Sequence, residues 1–314
     1  MPLLALPAEL LLEIIGFVTG WADLGNLRLT NRQLAAFGEP FLYQAFVVKC
    51  GCVFTRAIEF GEMIDANPAR ASRTKAFTYG WIMPHTRRAL RFLLRLPALQ
   101  HLTFNWTSHC SATGLNILQS EVPLGKPLFG INYLLPEEWP ELPTVRRMTI
   151  RGGVFCFNGP AAVIFSAPNV EFLHFSHSSS LVPSPFYEAG FARPLLALTT
   201  LRITDYHITD FWLERLFRNA PNLKRLIYES EAKFLHSRGF AKMLGMLAGS
   251  LEELYIRRPA RFEGEIVLEG LRDFKKLRLL VAPIELLNDL VHGTSLVKPF
   301  PPHLERIHIL EPFP

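Results

Sequence analysis

The chain has 314 residues, 49% of them hydrophobic and 19% charged, a composition that excludes wholesale disorder and suits one sizeable core or two smaller ones. Its net charge of +5 is small for this length, with Lys and Arg spread along the chain, so a nucleic-acid role is not indicated. Four cysteines, Cys50, Cys52, Cys110 and Cys156, form neither a disulfide framework nor a zinc pattern, as expected in a reducing compartment.

The first element is "LPAELLLEIIGFV", residues 6–18. No Lys or Arg precedes it, and Pro7, Glu9 and Glu13 interrupt it, so it does not read as a secretory signal. No run reaches the ~18 apolar residues of a membrane span, and the expected location is cytoplasmic or nuclear. At about 100° per residue, Leu6, Phe17, Leu10, Ile14, Val18, Leu11 and Ile15 occupy half the helical wheel, with Glu9, Glu13 and Gly16 opposite. A helix facing one core needs a stripe little wider than about 100°. This arc offers one face to its own bundle and one to a partner.

A second segment, "DLGNLRL" (23–29), supplies Leu24, Leu27 and Leu29; a third, capped near Thr30 or Asn31, supplies Leu34, Ala35 and Phe37, and "FLYQAF" (41–46) follows. Three short helices bury too little surface to be comfortably stable alone. This block resembles an F-box, the three-helix module that docks on a Skp-type adaptor in cullin-based ubiquitin ligases. The features that carry the resemblance are Leu6-Pro7 before Glu9-Leu10, Ile14-Ile15, Asp23-Leu24 with Leu27, and the late Leu42-Tyr43 where the family often has Leu-Trp. It implies adaptor contact by Leu6, Pro7, Leu10, Ile14, Ile15, Leu24 and Leu27. Thr30 to Gln33 depart from the Cys and Trp of many members, and the ending "LRLTNRQLAAFGEPFLY" is similar to fungal ones.

Further on, one pattern keeps returning: an apolar residue, two variable ones, an apolar, any residue, an apolar. It reads Leu99, Leu102, Phe104; Val145, Met148, Ile150; Val170, Leu173, Phe175; Leu198, Leu201, Ile203; Leu223, Leu226, Tyr228; Leu251, Leu254, Ile256; Leu277, Leu280, Ala282; and Leu304, Ile307, Ile309. From Val145 the steps are 25, 28, 25, 28, 26 and 27 residues. A weaker copy begins at Thr74, and a degraded one is read at "LFGINY" (128–133). Strand alternation puts the last two apolar positions of each copy on one face. Helix-like runs lie between, at 85–96, 210–219, 237–247 and 284–293. Pro97, Pro143, Pro168, Pro221 and Pro302 each stand two residues before the first apolar position, where they end one element and bias the chain toward extension. One strand and one helix cannot close a core alone, so neighbours must stack.

Residues 74–310 accordingly resemble leucine-rich repeats, best in "LTTLRITDYHITDFWLERLF". The family's capping Asn or Cys after each strand is replaced by Thr107, Gly153, Ser178, Tyr206, Glu231 and Pro259, which implies an irregular arc. The expected fold class is α/β: an F-box over 1–48, a helical connection over 49–73, and over 74–314 a leucine-rich-repeat solenoid with parallel strands on its concave side.

Catalytic patterns are absent: there is no P-loop, G-x-G-x-x-G, G-x-S-x-G or H-E-x-x-H, and "GGVF" and "FNGPAAVIF" lack a phosphate-binding Lys or spacing. His174 and His177 form the only close histidine pair and have no third ligand nearby, so neither a metal nor another cofactor is expected. Arg87, Arg88, Arg91 and Arg95 fall on one helix side, which reads first as a solvated face. The variable strand positions form the expected recognition face, with His101, Trp106, Arg147, Phe172, Arg202 and Tyr255 as candidate contacts. Glu171, Glu252, Glu253 and Glu305 interleave with the cations, which argues against an RNA- or DNA-binding solenoid.

Together the two resemblances imply a non-enzymatic, substrate-recognition subunit of a Skp/cullin/F-box ubiquitin ligase. Its partners would be the adaptor, through it the cullin, and a target protein. The other reading is a repeat scaffold whose N-terminal helices are only a cap, with no ubiquitin role.

Overall fold

The leucine runs and the recurring alternation fold into helices and parallel strands in the computed structural model of the chain. It describes residues 6–18, 21–48, 53–80, 93–105, 141–151, 154–156, 164, 166–178, 180–182, 194–206, 210–229, 237–257, 271–283 and 300–310. The chain is a mixed α/β protein that divides into two units, Met1–Phe104 and Asn105–Pro314. The runs at 85–92, 128–133 and 284–293, with Trp106, lie outside the described residues. Among the described residues no helix is long and apolar enough to cross a membrane.

The first unit opens with helices α1 (Ala8–Gly16), α2 (Trp21–Thr30) and α3 (Arg32–Leu42). Pro7 precedes α1 in extended geometry, with Glu9 in the first turn, where a carboxylate complements the helix dipole. Asn31 caps α3: its side chain accepts a 2.7 Å hydrogen bond from the Gln33 N–H. Pro40 removes one donor near the other end, and the helix stops two residues later at Leu42. The helices close on Ile15, Leu24, Leu34 and Leu42, with Val18, Leu27, Phe37, Phe41 and Tyr43 packed around them. Asn31→Ala should cost about 1 kcal/mol, read as a lower urea midpoint, while Asn31→Asp keeps an acceptor for Gln33 and should stay near wild type.

Beyond them come β1 (Ala45–Val48), α4 (Val53–Ala66), α5 (Pro68–Ala71), β2 (Ala76–Gly80) and β3 (His101–Asn105), the strands lying in the order β1-β2-β3. Parallel pairing therefore begins at Ala45, inside the expected helical module, and not at Thr74. The cause is visible at Gln44, whose carbonyl accepts hydrogen bonds from the N–H groups of both Lys75 and Ala76 at 2.9 Å. The Phe46 ring (β1) stacks on those of Phe60 (α4) and Phe77 (β2), which are tilted to each other, with centroids 3.8 to 5.7 Å apart. The Arg70 guanidinium lies 4.9 Å above the Tyr43 ring and 3.3 Å from Glu39, tying α5 to the end of α3.

The second unit contains β4 (Arg147–Arg151), β5 (Val154–Cys156), β6 (Phe172–Ser178), β7 (Ser180–Val182), β8 (Thr200–Tyr206), α6 (Asp210–Asn219), β9 (Arg225–Glu229), α7 (Ser237–Gly245), β10 (Glu253–Arg257), β11 (Leu279–Pro283) and β12 (Arg306–Leu310). Strands β4-β6-β8-β9-β10-β11-β12 pair in that order, all parallel. The repeat spacing becomes register: Met148, Leu173, Leu201, Leu226, Leu254, Leu280 and Ile307 are successive Cα partners. At each strand start one carbonyl accepts two consecutive N–H groups from the next repeat, as Glu171 does from Thr199 and Thr200, both at 3.0 Å. Leu213, Leu216 and Phe217 of α6, with Phe240, Met243 and Leu244 of α7, are buried.

The prolines have a sharper role than ending helices. Val145 N–H bonds Leu142 O, Val170 N–H bonds Ala167 O and Leu223 N–H bonds Ala220 O. This puts Pro143, Pro168 and Pro221 at the second position of tight turns, where a fixed φ is an advantage. Asn169 and Asn222 then donate 2.8 Å bonds to the Pro143 and Leu196 carbonyls of the preceding turn. One expectation is corrected: Ser178 and Tyr206 are not turn positions but Cα partners at the ends of β6 and β8. Strand β5, which contains Cys156, pairs with β7 in a separate two-stranded sheet.

Candidate functional site

Two surfaces stand out, one in each unit. On α1, Leu11 and Ile15 are four residues apart and buried, while Leu10 and Ile14, the same distance apart on the neighbouring stripe, are 47% and 44% exposed. Phe17 is 77% exposed and Leu29 on α2 is 87% exposed. Apolar side chains left in water over successive helical turns mark an interaction surface. Of the expected contacts, Leu10, Ile14 and Pro7 are exposed, Leu6 is half-buried, and Leu27 is half-buried against the helical core. Ile15 and Leu24 are buried in that core, so they offer a partner no surface and hold the exposed stripe in place instead. Phe17 and Leu29 were not among the expected contacts. Phe17 follows Ile14 by three residues on the same helical face, a usable signal, whereas nothing local to Leu29 separates it from the buried leucines.

The second surface is the outward face of the strands. On β4 and β6 burial alternates as expected, with Met148, Ile150, Leu173 and Phe175 inside and Arg147, Thr149, Arg151, Phe172 and His174 turned out. The Arg147 guanidinium lies 4.8 Å above the Phe172 ring, a stacked cation–π geometry. His174 Nε2 is 3.1 Å from Thr204 Oγ1. Arg202 Nε donates to the same hydroxyl at 3.3 Å and its other arm pairs with Glu229 at 2.8 Å. Ser176, next outward along β6, is buried, and its hydroxyl has no hydrogen-bond partner among the described residues. On β10 the Tyr255 ring lies 4.9 Å from the Arg225 guanidinium, and its hydroxyl donates to Glu253 at 3.2 Å.

The register also pairs the charges. Arg146 meets Glu171 at 3.3 Å, Lys224 meets Glu252 at 3.2 Å, Arg225 meets Glu253 at 3.1 Å, and Arg278 meets Glu305 at 3.9 Å. Each bridge is solvated and contributes little stability by itself. Their effect is on the field that the face presents. Of the expected recognition residues, Arg147, Phe172, Arg202 and Tyr255 share this face, while His101 lies half-exposed on β3 of the first unit.

Among the described residues no three His, Cys, Asp or Glu side chains gather in a metal-binding cluster. Arg95 of the basic run reaches Asp65 at 2.6 Å, and Arg87, Arg88 and Arg91 lie outside the described residues. No protein-family model matches the chain, and no curated protein gives a significant sequence match.

Proposed function

We propose that the chain is the substrate-recognition subunit of a Skp/cullin/F-box ubiquitin ligase, with an F-box at its N-terminus and leucine-rich repeats after it. The observation that carries this reading is the split on α1, where Ile15 is 2% exposed and its neighbour Ile14 is 44% exposed. A helix that merely capped a repeat array would present a polar outer face; this one presents Leu10, Ile14 and Phe17. The parallel rows at 25- to 28-residue spacing support the repeat assignment. In this role the chain does no chemistry. It raises the effective concentration of a target's lysines near a conjugating enzyme carried by other subunits.

Co-expression with a Skp-type adaptor, followed by size exclusion, tests the proposal. The wild-type chain should co-elute with the adaptor, and Leu10→Asp combined with Ile14→Asp should abolish co-elution without unfolding the helices, because both side chains already face water. A wild type that elutes alone, or a double mutant that co-elutes equally well, sinks the ligase reading and leaves the scaffold.

A further inference from the structure

We propose that the outward strand face around Arg147, Arg151, Phe172 and His174 docks an extended acidic segment of a protein partner. The proposal names the chemistry of the target and rests on the strand face being the recognition surface. Every described glutamate at or just before a strand of the second unit is already paired: Glu171 with Arg146, Glu229 with Arg202, Glu252 with Lys224, Glu253 with Arg225 and Glu305 with Arg278. Arg147 and Arg151 are exposed and pair with no carboxylate among the described residues. Among the described residues the interleaved signs therefore leave a positive surplus on β4.

The surplus is held in place. Stacking on Phe172 fixes the Arg147 guanidinium and leaves its N–H edge free for a carboxylate. His174 is oriented by Thr204, and the unpartnered Ser176 hydroxyl is the Cα neighbour of both Arg151 and Thr204. Arg147 and Arg151 stand four residues apart on one strand, about 13 Å. Side chains four apart on an extended peptide have the same spacing, so two acidic residues at i and i+4 reach both arginines. Phe172, the Cα partner of Arg147 on β6, gives the Arg147 end an apolar floor.

The test is fluorescence anisotropy on the full chain with labelled octaglutamate, octalysine and octauridylate at low salt. Octaglutamate should bind and octalysine should not, and Arg147→Glu with Arg151→Glu should weaken octaglutamate by about tenfold or more. Lys276→Glu, an exposed change off this face, should leave it within about twofold. If the double reversal fails to fold, Arg147→Gln with Arg151→Gln should show a smaller loss in the same direction. No binding by the wild type, an equal loss with Lys276→Glu, or tighter binding of octauridylate overturns the proposal. Adaptor co-elution of the double reversal separates the two readings. Retained co-elution with lost peptide binding supports the acidic dock, while intact peptide binding by a chain that never takes the adaptor overturns only the ligase assignment.

Discussion

Leu226→Ala should destabilise the second unit by about 3–5 kcal/mol, at the upper end for a buried leucine. Leu226 is fully buried on β9 between its Cα partners Leu201 and Leu254, themselves fully buried. Truncation removes the side chain from the middle of a continuous apolar row. The hole cannot close by a shift of the neighbours, because parallel hydrogen bonding fixes adjacent strands about 4.8 Å apart and β9 is bonded on both sides. Ile227→Ala is the internal comparison, since Ile227 faces the other way and is half-exposed; it should cost less than about 1 kcal/mol. Urea denaturation separates them: the Leu226 variant should show a large fall in midpoint with little change in slope, and the Ile227 variant a small one.

That contrast was legible in the sequence, because the apolar positions recur at fixed phase and a parallel sheet turns equal phase into contact. The helices at 210–219 and 237–245 were legible for a related reason, the switch from alternation to helical spacing between strands. β1 was not. Tyr43, Phe46 and Val48 carry the apolar spacing, but no proline stands two residues before Tyr43, and the strand's assignment depends on Gln44 reaching Lys75 and Ala76 far along the chain. The ends of β6 and β8 escaped likewise, since Ser178 and Tyr206 stand where a turn residue was expected and their pairing belongs to the two strands jointly.

The strand face shows the same limit in its charges. Read along the chain, Arg146, Arg147 and Glu171 are two cations and one anion. Only register decides that Glu171 takes Arg146 while Arg147 lies over Phe172. Composition gave a near balance of sign, and pairing among the described residues converts that balance into a surplus on β4. A surface's field depends on which charges are left over, and that is a property of the fold.

Ile15→Asp and Ile14→Asp should give opposite outcomes although they are neighbours with the same change. The Ile15 side chain lies inside the helical core with Leu24, Leu34 and Leu42. A carboxylate there has no partner among those residues, and burying it costs several kcal/mol or forces the helices apart. A three-helix module has little stability in reserve, so the region 6–42 should lose its structure and become the first site of limited proteolysis. Ile14→Asp places the same charge on the exposed stripe. It sits near the C-terminal end of α1, where a negative charge opposes the helix dipole, and the expected cost is below about 1 kcal/mol. The Ile14 variant should resist the protease like wild type and remain more soluble, because it interrupts an exposed apolar stripe. If both variants are cleaved alike, the outward stripe is part of the core and α1 is not a docking helix; if neither is cleaved, Ile15 is not inside it.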